Sequence, residues 1–150
     1  MPETLQKYES IAYATEGEVA VVTLNRPIRR NALSLELMLE LIDCLKGIEK
    51  DPAMRVVVLA AEGKVFSSGH DLSEMVGRDI NEYRRTFEVC TELMTLIQSL
   101  PQPVIAQVQG MKRRRGAKAA VVQLFSQRNG VAREIITDLR SRVPRRRHFV

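Results

Sequence analysis

From residue 8 to residue 110 the chain alternates between two hydrophobic periods. Residues 8–14 and 18–25 are rich in β-formers, with Val19, Val21, Val22, Thr23 and Leu24 in the second run and Glu16-Gly17-Glu18 as a turn between the two. This predicts two consecutive strands. Asn25-Arg26-Pro27 ends the second run as a turn. The spacing then lengthens. Asn31-Ala32-Leu33-Ser34 leads into a helix with Ser34 as its N-cap, and Leu37, Met38, Leu41, Ile42, Leu45 and Ile48 recur at helical intervals until Asp51-Pro52 stops them. Arg55 to Ala60 is a short apolar run of the kind that forms a buried strand. Glu62-Gly63-Lys64 turns the chain into a small-residue loop from Val65 to Leu72. A second helix is predicted over 79–99, with a stripe of Tyr83, Phe87, Cys90, Met94 and Ile97. Leu100-Pro101-Gln102-Pro103 ends it, and Val104 to Val108 forms another strand closing at Gly110. Strands alternating with crossover helices define an α/β chain.

Composition changes the picture in one place. The whole chain has 150 residues, 45% of them hydrophobic, which suits one domain with a real core and not two. Its net charge of +5 is the sum of two unlike parts. Residues 1–110 carry 11 Lys/Arg against 16 Asp/Glu, a net of −5, whereas residues 111–150 carry 12 against 2, a net of +10. A single folded domain seldom divides its charge so sharply, so residues 1–110 are read as a domain and 111–150 as a basic tail. Lys112 to Arg115 and Arg145 to Arg147 flank weakly patterned sequence there, and the tail is expected to be partly disordered. No apolar run is long enough to cross a bilayer. Met1 to Ser10 has neither an apolar signal core nor an Arg-rich pattern, so the expected location is cytoplasmic, or the mitochondrial matrix in a eukaryote. Cys44 and Cys90 both sit in apolar patterns and read as small core residues.

Four segments, in order, carry chemistry together: Thr23-Leu24-Asn25-Arg26-Pro27, Arg30-Asn31-Ala32-Leu33-Ser34, Phe66-Ser67-Ser68-Gly69-His70-Asp71-Leu72, and Pro103 through Gly110. Taken singly, His70-Asp71 is a polar turn, Arg29-Arg30 a solvated surface pair and Asn31 a turn or cap residue. A metal site from His70, Asp71 and His148 has no ligand spacing behind it. As an ordered set, the segments resemble the crotonase (enoyl-CoA hydratase/isomerase) superfamily over about residues 8–110. The Ser-Ser-Gly-His-Asp-Leu form looks nearest the branch of enoyl-CoA hydratase domain-containing protein 3 and its bacterial relatives. The resemblance implies a crotonase-like ββα spiral, here its N-terminal part, usually assembled as trimers or pairs of trimers. It also implies a coenzyme A thioester as substrate, with no separate cofactor, and an oxyanion hole of two backbone N–H groups for the enolate that forms. The first of those donors corresponds to the N–H of His70. Ser68, Gly69, His70, Asp71 and Leu72 would line the thioester and pantetheine channel, Ala32 and Leu33 would lie beside the coenzyme A arm, and Arg30 would lie near its phosphates. A helix beginning at Asp71 or Leu72 would add its N-terminal dipole.

The chain then departs from the pattern. The position corresponding to the second donor is Arg115, a bulky cation where a tight small-residue turn belongs, and Glu134 and Asp138 sit in no recognisable acid/base motif. A reading-frame shift near codons 111–112 accounts for this. Codons exist for Lys112 to Lys118 that, read two bases on, encode Thr-Ala-Ala-Gly-Cys-Gln, although that frame does not continue the pattern beyond residue 118. The gene sequence decides. Three functions therefore compete: an acyl-CoA enzyme domain, a truncated and inactive acyl-CoA-binding or misfolded product, and a nucleic-acid-binding module acting through the basic tail. The last has no recognised nucleic-acid motif behind it.

Overall fold

The computed structural model describes residues 8–108. The expectations for the tail at 111–150, including Arg115, Glu134 and Asp138, lie outside the described residues. Four strands, β1 (Ile11–Glu16), β2 (Val19–Leu24), β3 (Val56–Ala61) and β4 (Val104–Ala106), form one sheet in the order β1-β2-β3-β4. β1 and β2 are an antiparallel hairpin turning at Gly17, whose φ is +60°. β2, β3 and β4 run parallel. Parallel neighbours need long connections, and two helices supply them: α1 (Leu35–Glu49) between β2 and β3, and α2 (Ile80–Ser99) between β3 and β4. Single 3-10 turns stand at Pro27–Arg29 and Leu72–Met75.

The alternation read from the sequence is the alternation of the sheet. Ala20, Val22 and Leu24 of β2 and Val57 and Leu59 of β3 are buried on one face. α1 packs its seven-residue apolar stripe, Leu37, Met38, Leu41, Ile42, Cys44, Leu45 and Ile48, into the same core. Each fully buried Leu or Met there contributes about 1.5–3 kcal/mol of transfer free energy. Both helices start as the sequence predicts. The Ser34 Oγ accepts from the Leu37 N–H at 3.2 Å. At α2, Asp79 Oδ1 accepts from the Asn81 and Glu82 amides at 2.7 and 3.0 Å, and the Glu82 carboxylate accepts in return from the Asp79 N–H at 3.0 Å. Asp51-Pro52 follows the end of α1, and a second device holds that end. The buried Gln102 side chain, from the turn before β4, donates its Nε2–H to the carbonyls of Ile48 and Met54 at 3.1 and 3.3 Å.

The face of α2 differs from the expected stripe. Val89, Cys90, Leu93, Leu96 and Ile97 are the buried positions, Tyr83 and Met94 are only partly covered, and Phe87 is 50% exposed. Two apolar stripes run down this helix, and the expectation followed one across its whole length. Only the C-terminal half of α2 lies against α1 and the sheet. The N-terminal half leaves the core, and Ile80 there is 70% exposed.

Candidate functional site

The loops leaving the C-terminal ends of β2 and β3 are knitted into one unit. After Leu24 the chain makes the 3-10 turn at Pro27–Arg29 and passes through two successive left-handed residues, Arg30 (φ 53°) and Asn31 (φ 50°). Asparagine tolerates that region because its short side chain can bond locally, and Asn31 bonds to both loops. Its Oδ1 accepts from the Arg26 N–H at 2.8 Å, and its Nδ2 donates to the carbonyls of Glu62 and Val65 at 2.9 and 2.8 Å. With no exposed surface, it is a polar staple inside the protein.

From there the two loops pair like strands. The Ser68 N–H donates to the Arg30 carbonyl at 3.0 Å, the Leu33 N–H to the Gly69 carbonyl at 2.8 Å, and the Asp71 N–H to the Leu33 carbonyl at 3.1 Å. The last two bonds form a parallel bridge that pairs Leu33 with His70. Successive peptide groups of an extended segment point to opposite sides. Since Gly69 C=O and Asp71 N–H face Leu33, the N–H of His70 faces away from it. Gly69 lies before it with φ +93°, a conformation that side chains resist, and a Cβ built there meets nothing within 4 Å. The Ser67 hydroxyl braces this stretch, donating to the Asn31 carbonyl at 2.8 Å and accepting from the Gly69 N–H at 3.2 Å.

A charged pair closes the unit from below. Asp71, 8% exposed, accepts from the Ser73 hydroxyl at 2.6 Å and the Ser73 N–H at 3.2 Å, and an Arg26 guanidinium nitrogen lies 3.6 Å from its carboxylate. The Ser73 hydroxyl, followed by the Ser73 N–H and the Arg26 and Arg29 charges, holds the Asp71 carboxyl below its usual range against the opposing effect of burial. Arg26 also donates to the Ala32 carbonyl at 3.1 Å, and the Leu35 N–H at the start of α1 donates to Glu74 at 2.9 Å.

The sequence-derived site residues thus divide. Arg30, Ser68 and Leu72 are exposed, and Gly69 and His70 are half-buried. The side chains of Ala32, Leu33 and Asp71 are turned inward, with Leu33 in the hydrophobic core and the Asp71 carboxylate occupied by Ser73 and Arg26. The helix anticipated at Asp71 or Leu72 is a single 3-10 turn capped by Asp71. Four residues align too few peptide dipoles for the expected N-terminal field. Reading the sequence missed the Arg26–Asp71 pair and the buried staple at Asn31. The one local hint was an asparagine between a proline turn and a capping serine.

Comparisons with known proteins place these loops among relatives. A family model described as enoyl-CoA hydratase/isomerase matches residues 14–123. Enoyl-CoA hydratase domain-containing protein 3, mitochondrial, of Danio rerio is 42% identical over 112 residues, covering 74% of this chain and 37% of that protein. A putative enoyl-CoA hydratase of Thermus thermophilus is 41% identical over 100 residues, covering 63% of this chain and 39% of its own length. Among solved structures, an enoyl-CoA hydratase of Mycobacterium smegmatis is 40% identical with a TM-score of 0.64, covering 67% of this chain and 40% of that one. The human enoyl coenzyme A hydratase domain-containing protein 3 is 31% identical with a TM-score of 0.66, covering 68% and 41%. The chain spans less than half the length of each of these relatives.

Proposed function

The chain belongs to the enoyl-CoA hydratase/isomerase family, and from that membership we propose that it binds an acyl-coenzyme A thioester and polarises the thioester carbonyl through the backbone N–H of His70. The observation that carries this reading is the Leu33–His70 bridge. It turns the His70 N–H away from Leu33, beside a glycine where an added Cβ would meet nothing within 4 Å. As a proton leaves the carbon next to a thioester, the carbonyl oxygen takes up negative charge. A donor already fixed in place stabilises that charge without reorganising, and is worth about 3–4 kcal/mol in oxyanion holes. Hydration and isomerisation of an enoyl thioester both use this polarisation.

The rest of the ligand follows from what surrounds that N–H. Exposed Ser68 and Leu72 flank the thioester and pantetheine, and the exposed Arg30 guanidinium meets the phosphates of coenzyme A. Ala32, Leu33 and Asp71 act from behind, setting the position of the peptide groups. Residues 1–110 are the N-terminal part of the acyl-CoA domain in this reading, and His70 supplies one of its two donors. Among the described residues no helix is long and apolar enough to cross a membrane. Several relatives are named as mitochondrial proteins, and a matrix setting for this chain is part of the proposal.

The test is calorimetric titration of the 150-residue chain with acetoacetyl-CoA, with circular dichroism on the same sample. Saturable binding that disappears in Gly69→Val, while the dichroism spectrum is kept, is the expected result. A folded parent chain that takes up no acetoacetyl-CoA would sink the proposal.

A further inference from the structure

Behind the His70 N–H stand two peptide groups in series, and behind them a charge. The His70 N–H and the Gly69 carbonyl belong to one trans peptide, so they point in opposite directions. That carbonyl accepts from the Leu33 N–H at 2.8 Å. The Leu33 N–H belongs in turn to the peptide whose carbonyl is that of Ala32, and the Ala32 carbonyl accepts from Arg26 Nη1 at 3.1 Å. From the guanidinium outward, each carbonyl accepts and each N–H donates, up to the last N–H, which the bridge leaves facing away from Leu33.

Aligned peptide groups add their dipoles, about 3.5 D each, and hydrogen bonds in a chain polarise one another by roughly 10–30% per bond. A cation at the carbonyl end of such a chain draws electron density away from the far N–H and makes it a stronger donor. The single turn at Leu72–Met75 aligns too few dipoles for this, whereas the bridge carries an alignment from one loop into the other. Three features keep the Arg26 charge effective. Its side chain is 23% exposed, whereas Arg29 and Arg30 are open to solvent. Its approach to Asp71, at 3.6 Å, is looser than its bond to Ala32, and the other Asp71 oxygen is taken by Ser73. Its backbone is pinned on both sides: the N–H donates to Asn31 Oδ1 at 2.8 Å, and the carbonyl accepts from the Arg29 and Asn31 amides at 3.0 and 2.9 Å.

We propose that Arg26 is a positioning residue of the acyl-CoA site, acting through the Ala32–Leu33 and Gly69–His70 peptide groups: its guanidinium heads the hydrogen-bonded series and strengthens the His70 N–H as the donor to the thioester oxygen. This deepens the function proposed above and rests on it. The Arg26–Asp71 pair then serves the chemistry as well as holding the loops together.

The experiment compares the 150-residue chain with Arg26→Met, which removes charge and donor, and Arg26→Lys, which keeps both. Hydrogen exchange at the Leu33 and Asp71 amides checks that the bridge is retained. If Arg26→Met loses it, Arg26→Gln, which keeps an amide donor without the charge, takes its place. In the unliganded chain the His70 amide proton is expected to move upfield in Arg26→Met and to return in Arg26→Lys. With acetoacetyl-CoA carrying 13C at its thioester carbonyl, the infrared stretch of the bound carbonyl is expected to lie nearer its free-solution frequency in Arg26→Met. Binding should weaken about threefold, while free coenzyme A, which has no thioester carbonyl, is unaffected. An intact bridge with the His70 proton and the stretch unmoved overturns the inference. Equal loss of the two ligands does so too, as does a failure of Arg26→Lys to restore the parent values. If the parent chain takes up no acetoacetyl-CoA, the proposed function falls, and the unliganded His70 proton still decides whether Arg26 polarises that N–H.

Discussion

The two ends of the parallel strands are built by different rules. At their N-terminal end the turns are ordinary. The β1–β2 hairpin turns on a glycine, the Arg55 amide reaches the Glu18 carbonyl at 2.8 Å, and one buried side chain, Gln102, ties the end of α1 to the turn before β3. At their C-terminal end two non-glycine residues sit in the left-handed region, and Asn31, Ser34 and Asp71 are buried polar groups. Left-handed non-glycine residues and buried polar side chains both cost free energy unless the surroundings bind them firmly. The end that carries this cost is the end where a peptide N–H is left turned outward. Stability and site geometry are therefore bound up together in the loops after β2 and β3, and separable in the turns before β3 and β4.

That contrast can be broken most directly at Asn31. Asn31→Ala removes three hydrogen bonds, strands the Arg26 amide and two carbonyls, and places a Cβ-bearing residue without a local partner at φ 50°. A loss of about 3–4 kcal/mol is expected in urea unfolding followed by circular dichroism. Gln102→Ala, at the opposite end, removes the Nε2–H bonds to two carbonyls but strands no backbone N–H and sits at no left-handed φ. About 1–2 kcal/mol is expected, and a loss as large as that of Asn31→Ala would erase the distinction between the ends. Gly69→Ala sharpens it differently. The new methyl meets open space, so only backbone strain of about 1 kcal/mol should appear in unfolding, while acetoacetyl-CoA titration should show a larger loss than that strain explains. The smallest effect is in acid. The Asp71 carboxyl is held below its ordinary value, first by the Ser73 hydroxyl and then by the Ser73 amide and Arg26. The group's folded pKa is depressed, so its contribution is complete above the unfolded value of about 3.9 and is lost as pH falls through the lower folded value. Urea midpoints measured downward from pH 5 should therefore drop more for the parent than for Asp71→Asn.

The elements were legible in the sequence because each rests on a local signal. Val19 to Leu24 alternates, Leu37 to Ile48 keeps a helical period, and Ser34 and Asp79 stand where caps belong. α2 was legible in extent and not in orientation. Tyr83, Phe87 and Met94 are spaced as regularly as Val89, Leu93 and Leu96, and only packing against α1 chooses between the two stripes. The site divides in the same way. Gly69, His70 and Arg30 are named as candidates by the ordered motifs. The Leu33–His70 bridge joins residues 37 apart in sequence, and the Arg26–Asp71 pair joins residues 45 apart. Neither partner carries a local mark of the other. At Leu72–Met75 the sequence leaves open, for the same reason, whether a helix starts or a single 3-10 turn forms. Asp71 caps either one, and only the chain beyond Met75 decides how many turns follow.

The Leu33–His70 bridge also sets what mutation can do to this loop over generations. Replacing one residue between Val65 and Gly69 leaves the count of peptide groups intact, whereas losing or gaining one codon moves every later group to the opposite side of the segment. A carbonyl would then stand where the His70 N–H stands, and the field offered to an approaching oxygen would change sign. Natural variation in this stretch should therefore be written in substitutions, with gaps confined to the turn at Glu62–Lys64 before it.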